Sequence, residues 1–309
     1  MPGGAGQHNG LVRAAVGGTY EVELYAGSSS GSVVEASLRG RLKREQRTGD
    51  AVVVGDRVRV AEQEDGGWTI EAVAERASEL ARRAPGGGRR RAKVLVANVD
   101  QIVAVFSVTH PAPRLRMLDR FLVLADASDV DALIVANKVD LAGAAEASVF
   151  APYEAIGYPV LYTSAREGAG VEALRAALAG RVSALAGPSG VGKSSLLNAL
   201  QPGLALRTGE VSETVRKGRH TTVSSRLIPL ACGGFVADTP GLRELGLWEV
   251  DPEDLDLHFP ELLRHLDQCR FGRSCTHTHE PGCAVREAVD RGQVSPERYA
   301  SYVALHAGD

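Results

Sequence analysis

A glycine-rich run in the second half of the chain has the residue types and spacing that bind phosphate. It fits GxxxxGK[ST] and comprises Gly187, Pro188, Ser189, Gly190, Val191, Gly192, Lys193 and Ser194. Glycines allow close backbone approach, so N–H groups can surround a β-phosphate at the positive end of the following helix, which starts near Ser195. Lys193 would reach the β- and γ-phosphates, and the Ser194 hydroxyl would ligate Mg²⁺. The alternative is a plain strand-to-helix turn, but the strand, loop and helix occur in the order that a phosphate site requires.

A second polar run would read the base of a nucleotide. It comprises Asn137, Lys138, Val139 and Asp140. Asp140 would accept hydrogen bonds from N1–H and the exocyclic amine of guanine, neither of which adenine offers. Lys138 would cover the base face, and Asn137 would tie loops together. After a later strand come Ser164 and Ala165, and the Ala165 N–H would donate to guanine O6. The alternative, a helix start after a strand, is disfavoured because these runs accompany a phosphate loop.

Two further runs resemble switch segments, which contact Mg²⁺ and the γ-phosphate of a bound nucleotide. Asp238, at the start of the sequence Asp-Thr-Pro-Gly, would hold Mg²⁺ through water, and the Gly241 amide would sense the γ-phosphate. Upstream, Thr221 or Thr222 would complete the Mg²⁺ shell when the γ-phosphate is present. The magnesium set considered is therefore Ser194, Thr222 and Asp238, with Thr221 as the open alternative. A polar surface loop is the other interpretation of the threonine segment.

The group that orients the attacking water is not obvious from the sequence. Leu242 follows Gly241, where many GTPases have glutamine, and leucine cannot orient water. His220 is the nearest candidate for a catalytic residue. The equal alternative is that His220 packs or faces solvent and a partner supplies the catalytic group.

The elements before these runs predict a small β-barrel. Alternating or apolar stretches at 20–25, 33–38, 51–54, 57–60 and 68–73 predict five short strands separated by Gly, Ser and Asp breaks. An OB-fold is one such architecture, and another small barrel or sandwich fits the pattern as well. Residues 1–10 are rich in glycine and predict a disordered tail.

Residues 76–93 predict a basic linker, because six arginines and one lysine stand against one glutamate. The segment is either a solvated connection or a contact with a phosphate backbone, and its charge in a chain of net charge −3 favours the contact.

From residue 94 onwards, strand-length apolar runs alternate with amphipathic helices. Strands are predicted at 101–106, 132–136, 160–163, 182–186 and 234–237, and helices at 116–127, 171–178 and 195–200. Such βα repeats predict a mostly parallel, doubly wound α/β sheet whose strand ends carry the polar runs described above.

Composition sets limits on the class of protein. The 309 residues are 44% hydrophobic and 24% charged, which is ordinary for a folded chain of about two or more domains. No run approaches about 18 consecutive apolar residues, and no secretory signal is evident, so we expect a cytoplasmic protein without a membrane contact. Four cysteines do not make a disulfide framework. No feature demands an oligomer, so a monomer is expected.

The motifs occur in an unusual order. The run at 137–140 that would contact the base precedes the phosphate loop at 187–194, and the two switch runs follow the phosphate loop. This order indicates a circularly permuted GTPase. This order, with a barrel before it, a Cys/His cluster after it and the Gly-Arg-His-Thr-Thr run at 218–222, closely resembles the ribosome small-subunit-dependent GTPase family, RsgA (YjeQ). The resemblance covers nearly the whole chain.

The resemblance implies a multi-domain protein and a function. It implies a tail at 1–10, an OB-fold RNA-binding domain at 11–75, a linker at 76–93, a permuted GTPase domain at 94–247 and a mainly helical zinc-binding domain at 248–309. It implies hydrolysis of GTP to GDP and phosphate, stimulated by the small (30S) ribosomal subunit, late in the maturation of that subunit, with the barrel on 16S rRNA. It assigns the catalytic role to His220.

The resemblance also selects a metal-ligand set. Three cysteines cluster near the end of the chain, and three thiolates with one imidazole suit one structural, tetrahedral Zn²⁺. His265, His279 and His306 compete as the imidazole, and the resemblance selects His277. The zinc ligands are then Cys269, Cys275, His277 and Cys283. The alternative is a group of reduced thiols in a helical bundle.

Three functions remain to be distinguished. One is a GTPase whose turnover is switched by the small subunit, and the second is an RNA-binding assembly factor whose affinity is set by GTP. The third, a P-loop small-molecule kinase or ATPase, predicts no guanine preference and leaves the base reader and the barrel unexplained.

Overall fold

The computed structural model of the chain describes residues 7–25, 31–40, 42, 52–83, 92–143, 148–204, 225–238 and 250–308. The chain divides into two compact units, which are described separately. Unit 1 contains the described parts of Met1–Gln101, Arg175–Leu185 and Arg207–Leu245. Unit 2 contains those of Ile102–Leu174, Ala186–Leu206 and Gly246–Asp309.

Strands and helices are numbered in chain order. The strands are β1 Gln7–Val16, β2 Thr19–Leu24, β3 Val33–Leu38, β4 Arg57–Glu62, β5 Trp68–Val73, β6 Glu79–Arg83, β7 Ala92–Ala97, β8 Gln101–Ser107, β9 Asp131–Asn137, β10 Val160–Thr163, β11 Val182–Ala186, β12 Arg226–Pro229 and β13 Phe235–Asp238. The α-helices are α1 Leu115–Ala127, α2 Ala151–Ala155, α3 Val171–Leu178, α4 Lys193–Leu200, α5 Pro260–Leu266, α6 Ala284–Asp290 and α7 Pro296–His306.

Unit 1 begins with a closed five-stranded barrel. The strand order is β1-β2-β3-β5-β4, and β1 also pairs with β4. The pairs are antiparallel except β3 with β5, which is parallel. Alternate side chains point inward and form one core that includes Val12, Val22 and Ile70. This order is that of an OB-like barrel, so the structure selects the OB-fold from the alternatives.

Two predictions about the barrel are wrong. β1 begins at Gln7, so residues 7–10 are strand and not tail, because their backbone pairs with β4 from Gln7 opposite Ala61 to Gly10 opposite Val58. The apolar run at 51–54 is not a strand in its described part. Val52 and Val54 are buried, and only Val54 makes an isolated bridge, to Val96. The side chains of Val52 and Val54 are buried, but their backbone does not form a ladder with a neighbouring strand.

The segment predicted as a basic linker contains the strand β6 and the first residues of β7. β6 and β7 form an antiparallel hairpin in which Leu80 pairs with Val96, and both side chains are fully buried. Arg76, counted among the basic residues of that linker, has a structural partner. Its guanidinium donates to both carboxylate oxygens of Asp56, at 2.8 and 3.1 Å, and Asp56 is 0% exposed. A loop prediction fails here because the pairing of the apolar positions outweighs the local charge.

The barrel sheet continues into strands that come much later in the chain. β12 pairs with β1 at Ala14 opposite Arg226, and β12 pairs with β13 at Arg226 opposite Asp238. β13 in turn runs parallel to β11. Ala14, Arg226 and Asp238 therefore lie in one row across three strands of unit 1, and Glu21 of β2, opposite Ala14, accepts a bond from the Arg226 side chain at 3.2 Å.

Unit 2 contains the parallel strands and helices predicted for an α/β sheet. Its strand order is β10-β9-β8, and β9 and β10 run parallel with Asn137 opposite Thr163. The predicted helix at 116–127 is confirmed as α1, one residue longer. It buries Leu118, Phe121 and Leu122. Among the described residues, no helix is both long and apolar enough to cross a membrane.

The C-terminal part of unit 2 packs on α1. Its core joins Phe259, Leu262 and Tyr302 to Val123 of α1. Helix α7 starts at Pro296, and the Ser295 hydroxyl accepts from the Arg298 N–H as the N-cap.

An ion cluster is buried between the same helices. The Arg298 guanidinium donates to Asp119 of α1 and to Glu261 of α5, in both cases at 2.6 Å, and all three side chains are 4% exposed or less. The Tyr153 hydroxyl also donates to Asp119, at 2.7 Å. Because these buried charges are satisfied by one another and by the Tyr153 hydroxyl, the cluster fixes the C-terminal helices on α1.

Candidate nucleotide site and metal centre

The phosphate loop joins the end of β11 to the start of α4, and two of its glycines have no room for a side chain. Gly187 has φ +135°, and an added Cβ would lie 2.1 Å from the carbonyl oxygen of Val105 in β8. Gly192 has φ +98°, and its Cβ would lie 2.4 Å from Nδ2 of Asn137. Positive φ and close approach both require glycine, so the loop has the backbone conformation that the spacing predicts.

The lysine and serine at the end of this loop lie where α4 begins. Nζ of Lys193 donates to the carbonyl oxygens of Gly187 and Pro188, both at 2.7 Å, so the ammonium spans the loop. Ser194 is 9% exposed, in the first turn of the helix. The N–H groups of a helix start and a nearby ammonium are the groups that stabilise bound phosphate.

Asn137 connects the phosphate loop with the second polar loop. It is 1% exposed at the end of β9, and its Nδ2 donates to the carbonyl oxygen of Val191 at 2.8 Å. Its Oδ1 accepts from the Thr163 hydroxyl at 3.1 Å and from the Ala165 N–H at 3.3 Å. One amide thus holds three segments in register. The Ala165 N–H was predicted to face guanine O6, and in this structure it is directed at Asn137.

The other two polar residues of this run are also positioned by neighbouring loops. Lys138 has φ +68°, in the left-handed region, and its Nζ donates to the carbonyl oxygen of Gly190 at 2.7 Å. Asp140 lies in the 3₁₀ turn Val139–Leu141, and its Oδ1 accepts from the Ser164 hydroxyl at 2.6 Å. Ser164 is 0% exposed and also accepts from the Glu167 N–H, so the orientation of the Asp140 carboxylate is set by a buried hydroxyl.

The predicted switch residues divide into two groups. Asp238 is the last residue of β13, where a Mg²⁺-directed carboxylate was predicted. His220, Thr221, Thr222 and Gly241 lie outside the described residues.

The four predicted metal ligands lie together. Their ligand atoms, from Cys269, Cys275, His277 and Cys283, are all within 4.8 Å of one another, and all four residues are buried. Nδ1 of His277 is 3.5 Å from Sγ of Cys269 and 3.4 Å from Sγ of Cys283. Three thiols and an imidazole converging in this way match the donor set and size of a closed tetrahedral zinc site.

Groups around the cluster hold the histidine in place. Nε2 of His277 lies 3.3 Å from a carboxylate oxygen of Asp256, which leaves Nδ1 to face the sulfurs. The Tyr299 hydroxyl donates to the His277 carbonyl oxygen at 2.7 Å. A carboxylate contact at the second ring nitrogen fixes ring orientation in metal sites, and the Tyr299 bond holds the backbone of His277.

A carboxylate organises the backbone of the loop that carries His277. Glu280 accepts from the Thr276 N–H and hydroxyl at 2.9 and 2.6 Å, and from the Thr278 and His279 N–H groups at 3.2 Å each. Partial burial opposes ionisation, but these donors outweigh it and lower the pKa of Glu280 to about 2.

Sequence reasoning missed three of these contacts. Asp256 lies in no motif, and the role of Glu280, in a run that the RsgA resemblance includes, becomes recognisable only once the cysteines and His277 are in place. The bond from Ser164 to Asp140 joins two predicted residues, but nothing in their spacing pairs them.

Comparison with known proteins gives a consistent result. A family model described as RsgA GTPase matches residues 73–248. The small ribosomal subunit biogenesis GTPase RsgA of Gemmatimonas aurantiaca is 52% identical over 299 residues, which is 96% of this chain and 95% of that protein.

Two solved structures are similar over almost the whole chain. YjeQ from Thermotoga maritima is 34% identical with a TM-score of 0.79, and the match covers 98% of both chains. YloQ, described as a circularly permuted GTPase, is 31% identical with a TM-score of 0.75, covering 98% of this chain and 95% of that one. With the family model matching more than half of its residues, this chain belongs to the RsgA GTPase family.

Proposed function

We propose that this protein is a GTPase that binds the small (30S) ribosomal subunit, acts in its late maturation, and hydrolyses GTP to GDP and phosphate with turnover stimulated by that subunit. The observation that carries the nucleotide part is the triple contact of Asn137, which joins the phosphate loop to both segments that would face the base. Family membership supports the ribosomal part.

The chain's own groups suggest how GTP would be bound. The phosphates would lie against the N–H groups of residues 187–195, and Lys193 would exchange its two carbonyl partners for phosphate oxygens. Asp140, oriented by Ser164, would accept from N1–H and the exocyclic amine of guanine. Adenine would leave this carboxylate without a donor, which is the basis of selectivity.

Hydrolysis needs a metal and a positioned water. Ser194, Thr222 and Asp238 are the proposed Mg²⁺ ligands, with Thr221 as the alternative to Thr222, and the ion would neutralise charge on the phosphates. The Gly241 amide would contact the γ-phosphate. His220 is the proposed catalytic residue, and a group supplied by the ribosome is the alternative.

One Zn²⁺ is proposed at Cys269, Cys275, His277 and Cys283, where the convergence of four buried donors supports it. All four positions of a tetrahedral ion would be taken by protein, so the ion would stabilise the fold and take no part in the reaction. We also propose that the chain divides into an OB-fold domain that begins with β1, a connecting segment that contains β6, a GTPase domain at 94–247 and a zinc-binding domain at 248–309. The barrel would contact 16S rRNA, and the protein would be a cytoplasmic monomer.

The decisive experiment measures GTP hydrolysis with and without purified small subunits, with ATP and large subunits as controls. We expect strong stimulation of GTP turnover by small subunits alone. Turnover unchanged by small subunits would remove the proposed partner. Tight, GTP-dependent binding to small subunits with little stimulation of turnover would favour the alternative, an RNA-binding assembly factor. In that protein GTP sets the affinity for the subunit, and hydrolysis only returns the affinity to its starting value.

The nucleotide assignment has its own test. We expect Asp140→Asn to weaken GTP binding by about 100-fold or more, because an amide cannot accept both bonds and presents a donor to guanine. Competition between GTP, ATP and xanthosine triphosphate, measured by fluorescence of a labelled nucleotide, reads out the selectivity. An unchanged preference would favour the kinase or ATPase alternative.

A further inference from the structure

An open groove of about 690 Å³ lies on the outer surface of the barrel. It runs between the start of β1, the residue after β2, and the strands β4 and β5. Its polar and aromatic lining comes from Asn9, Tyr25, Arg57 and Arg59, and its apolar floor includes Ala72 and Val73. The volume is within the range of about 300–1,000 Å³ that is usual for sites of small organic groups.

Two cations face this groove without an ion pair. On β4, Val58 and Val60 point into the barrel core, so Arg57 and Arg59 point outward, and both are exposed. In the described part of the chain neither of the two is ion-paired. Two other arginines in the described part of the barrel differ, because Arg13 pairs with Glu23 and Arg39 with Glu71. Two adjacent unpaired guanidinium groups form a local positive field that suits phosphate.

An aromatic ring stands beside these cations. Tyr25 is 46% exposed, although exposed large side chains are otherwise few on the barrel. Its N–H donates to the carbonyl oxygen of Asn9 at 2.9 Å, which anchors the backbone at the edge of the groove. Tyr25 lines the same groove as Arg57 and Arg59. A ring next to a pair of guanidinium groups is the arrangement that binds single-stranded nucleic acid, by base stacking and phosphate contacts.

We propose that this groove holds an unpaired nucleotide of the small-subunit RNA, with the base stacked on Tyr25 and the flanking phosphates at Arg57 and Arg59. The inference rests on the proposed function and specifies the part of the barrel that meets RNA. Stacking tolerates any base, so the groove selects an unpaired, extruded nucleotide and not a sequence. Paired RNA has no free base face and is excluded from the stack.

The test uses the full-length chain with a non-hydrolysable GTP analogue and purified small subunits. Affinity is measured by co-sedimentation at several salt concentrations for wild type, Arg57→Gln/Arg59→Gln, Tyr25→Ala and Tyr25→Phe. Arg39→Gln is the control for the loss of one guanidinium from the barrel outside the groove. Chemical probing of the RNA bases in each complex gives a second readout.

We expect Tyr25→Ala to weaken binding by about 10- to 100-fold, and Tyr25→Phe to bind like wild type, because phenylalanine keeps the stack. Loss of two phosphate contacts should weaken binding and reduce the slope of log affinity against log salt by about 1.4. At least one unpaired base should be protected by wild type and by Tyr25→Phe, and exposed with Tyr25→Ala.

Several results would overturn the inference. One is that Tyr25→Ala and the double variant bind small subunits with the same affinity as Arg39→Gln. Another is weaker binding with no change in the reactivity of any base, which would assign the groove to a ribosomal protein. In both cases wild type still binds small subunits, so the proposed function stands. Wild type that fails to bind small subunits at all would instead refute the proposed function.

Discussion

Single buried side chains with several partners define the described part of the nucleotide site. Asn137 satisfies a carbonyl oxygen, a hydroxyl and an N–H from two other segments, and its side chain is buried, with the residue 1% exposed. Each of these bonds contributes only about 1 kcal/mol net, but a partner left unsatisfied in the interior costs about 1–3 kcal/mol. The alignment of the loops therefore depends strongly on one amide.

We expect Asn137→Ala to lower the free energy of unfolding by about 2–3 kcal/mol, because the Val191 carbonyl and the Thr163 hydroxyl lose their partner. Affinity for GDP should fall as well, since the two loops are no longer held in register. Urea unfolding and nucleotide titration check both effects. Gln268→Ala is the control, because its side chain makes an exposed bond to Arg264. Equal stability and affinity in both variants would contradict the assigned role.

The buried arginine in the C-terminal helices gives a second residue-scale prediction. Arg298→Met would leave Asp119 and Glu261 as unpaired buried carboxylates, which costs about 3–5 kcal/mol. Arg291→Met removes the same charge from an exposed pair with Glu287 and should cost less than about 1 kcal/mol. Urea unfolding compares the two. Adding Asp119→Asn and Glu261→Gln to Arg298→Met should recover part of the loss, and a result without recovery would argue against unpaired charge as the cause.

At the scale of elements, the sequence predicts what local periodicity specifies. The strands at 160–163 and 182–186 and the helix at 171–178 are confirmed to the residue, because their apolar pattern and flanking turns are self-contained. The polar runs also lie at the predicted strand ends. The hairpin of β6 and β7 was missed because basic residues dominate its sequence, and β1 was missed because it pairs with the distant strand β4. The ion cluster was missed for the same reason, as Asp119 and Arg298 are 179 positions apart.

The loop that carries His277 gives the element-scale prediction, a pH dependence. Glu280 has its pKa lowered to about 2, so its bonds to the Thr276, Thr278 and His279 N–H groups stabilise the fold fully above about pH 4.5. That stability is lost as the pH falls from about 4.5 towards about 2, because the unfolded chain takes up the proton first. In Glu280→Gln the contribution should be absent at every pH.

Hydrogen exchange of those three amides, corrected for intrinsic rates, measures the effect. At pH 6 the wild-type amides should be more protected than those of Glu280→Gln, and the difference should shrink towards pH 3. Glu287→Gln, an exposed carboxylate on α6, should leave the protection unchanged. A difference between wild type and Glu280→Gln that stays constant over this pH range would show that the carboxylate charge is not what holds the loop.

On the scale of the whole molecule, the C-terminal region of unit 2 is integrated with the helix that precedes the base-reading strand. Val123 of α1 shares a core with three of the cysteines, and Asp126 near the end of α1 lies 2.6 Å from Nδ1 of His258. A deletion of residues 250–309 would uncover this core together with Asp119, so truncation is a poor way to separate the region's roles. Disturbance of the metal centre alone is the more selective perturbation.

The last prediction is that removal of zinc loosens α1 as well as the C-terminal helices. Without an ion the three thiols and His277 are buried groups that no longer share a common ligand, and structural zinc typically contributes on the order of 10 kcal/mol to folding. Because Val123 packs in the same core, the loss should reach α1. We expect one zinc per chain to be released by a strong chelator, with reduced hydrogen-exchange protection in α1 and α7. Cys275→Ser should reproduce this loss, whereas Cys232→Ser, which changes a thiol outside the cluster, should retain zinc and protection. Full protection of α1 after zinc release would show that the core at Val123 is stable without the metal centre.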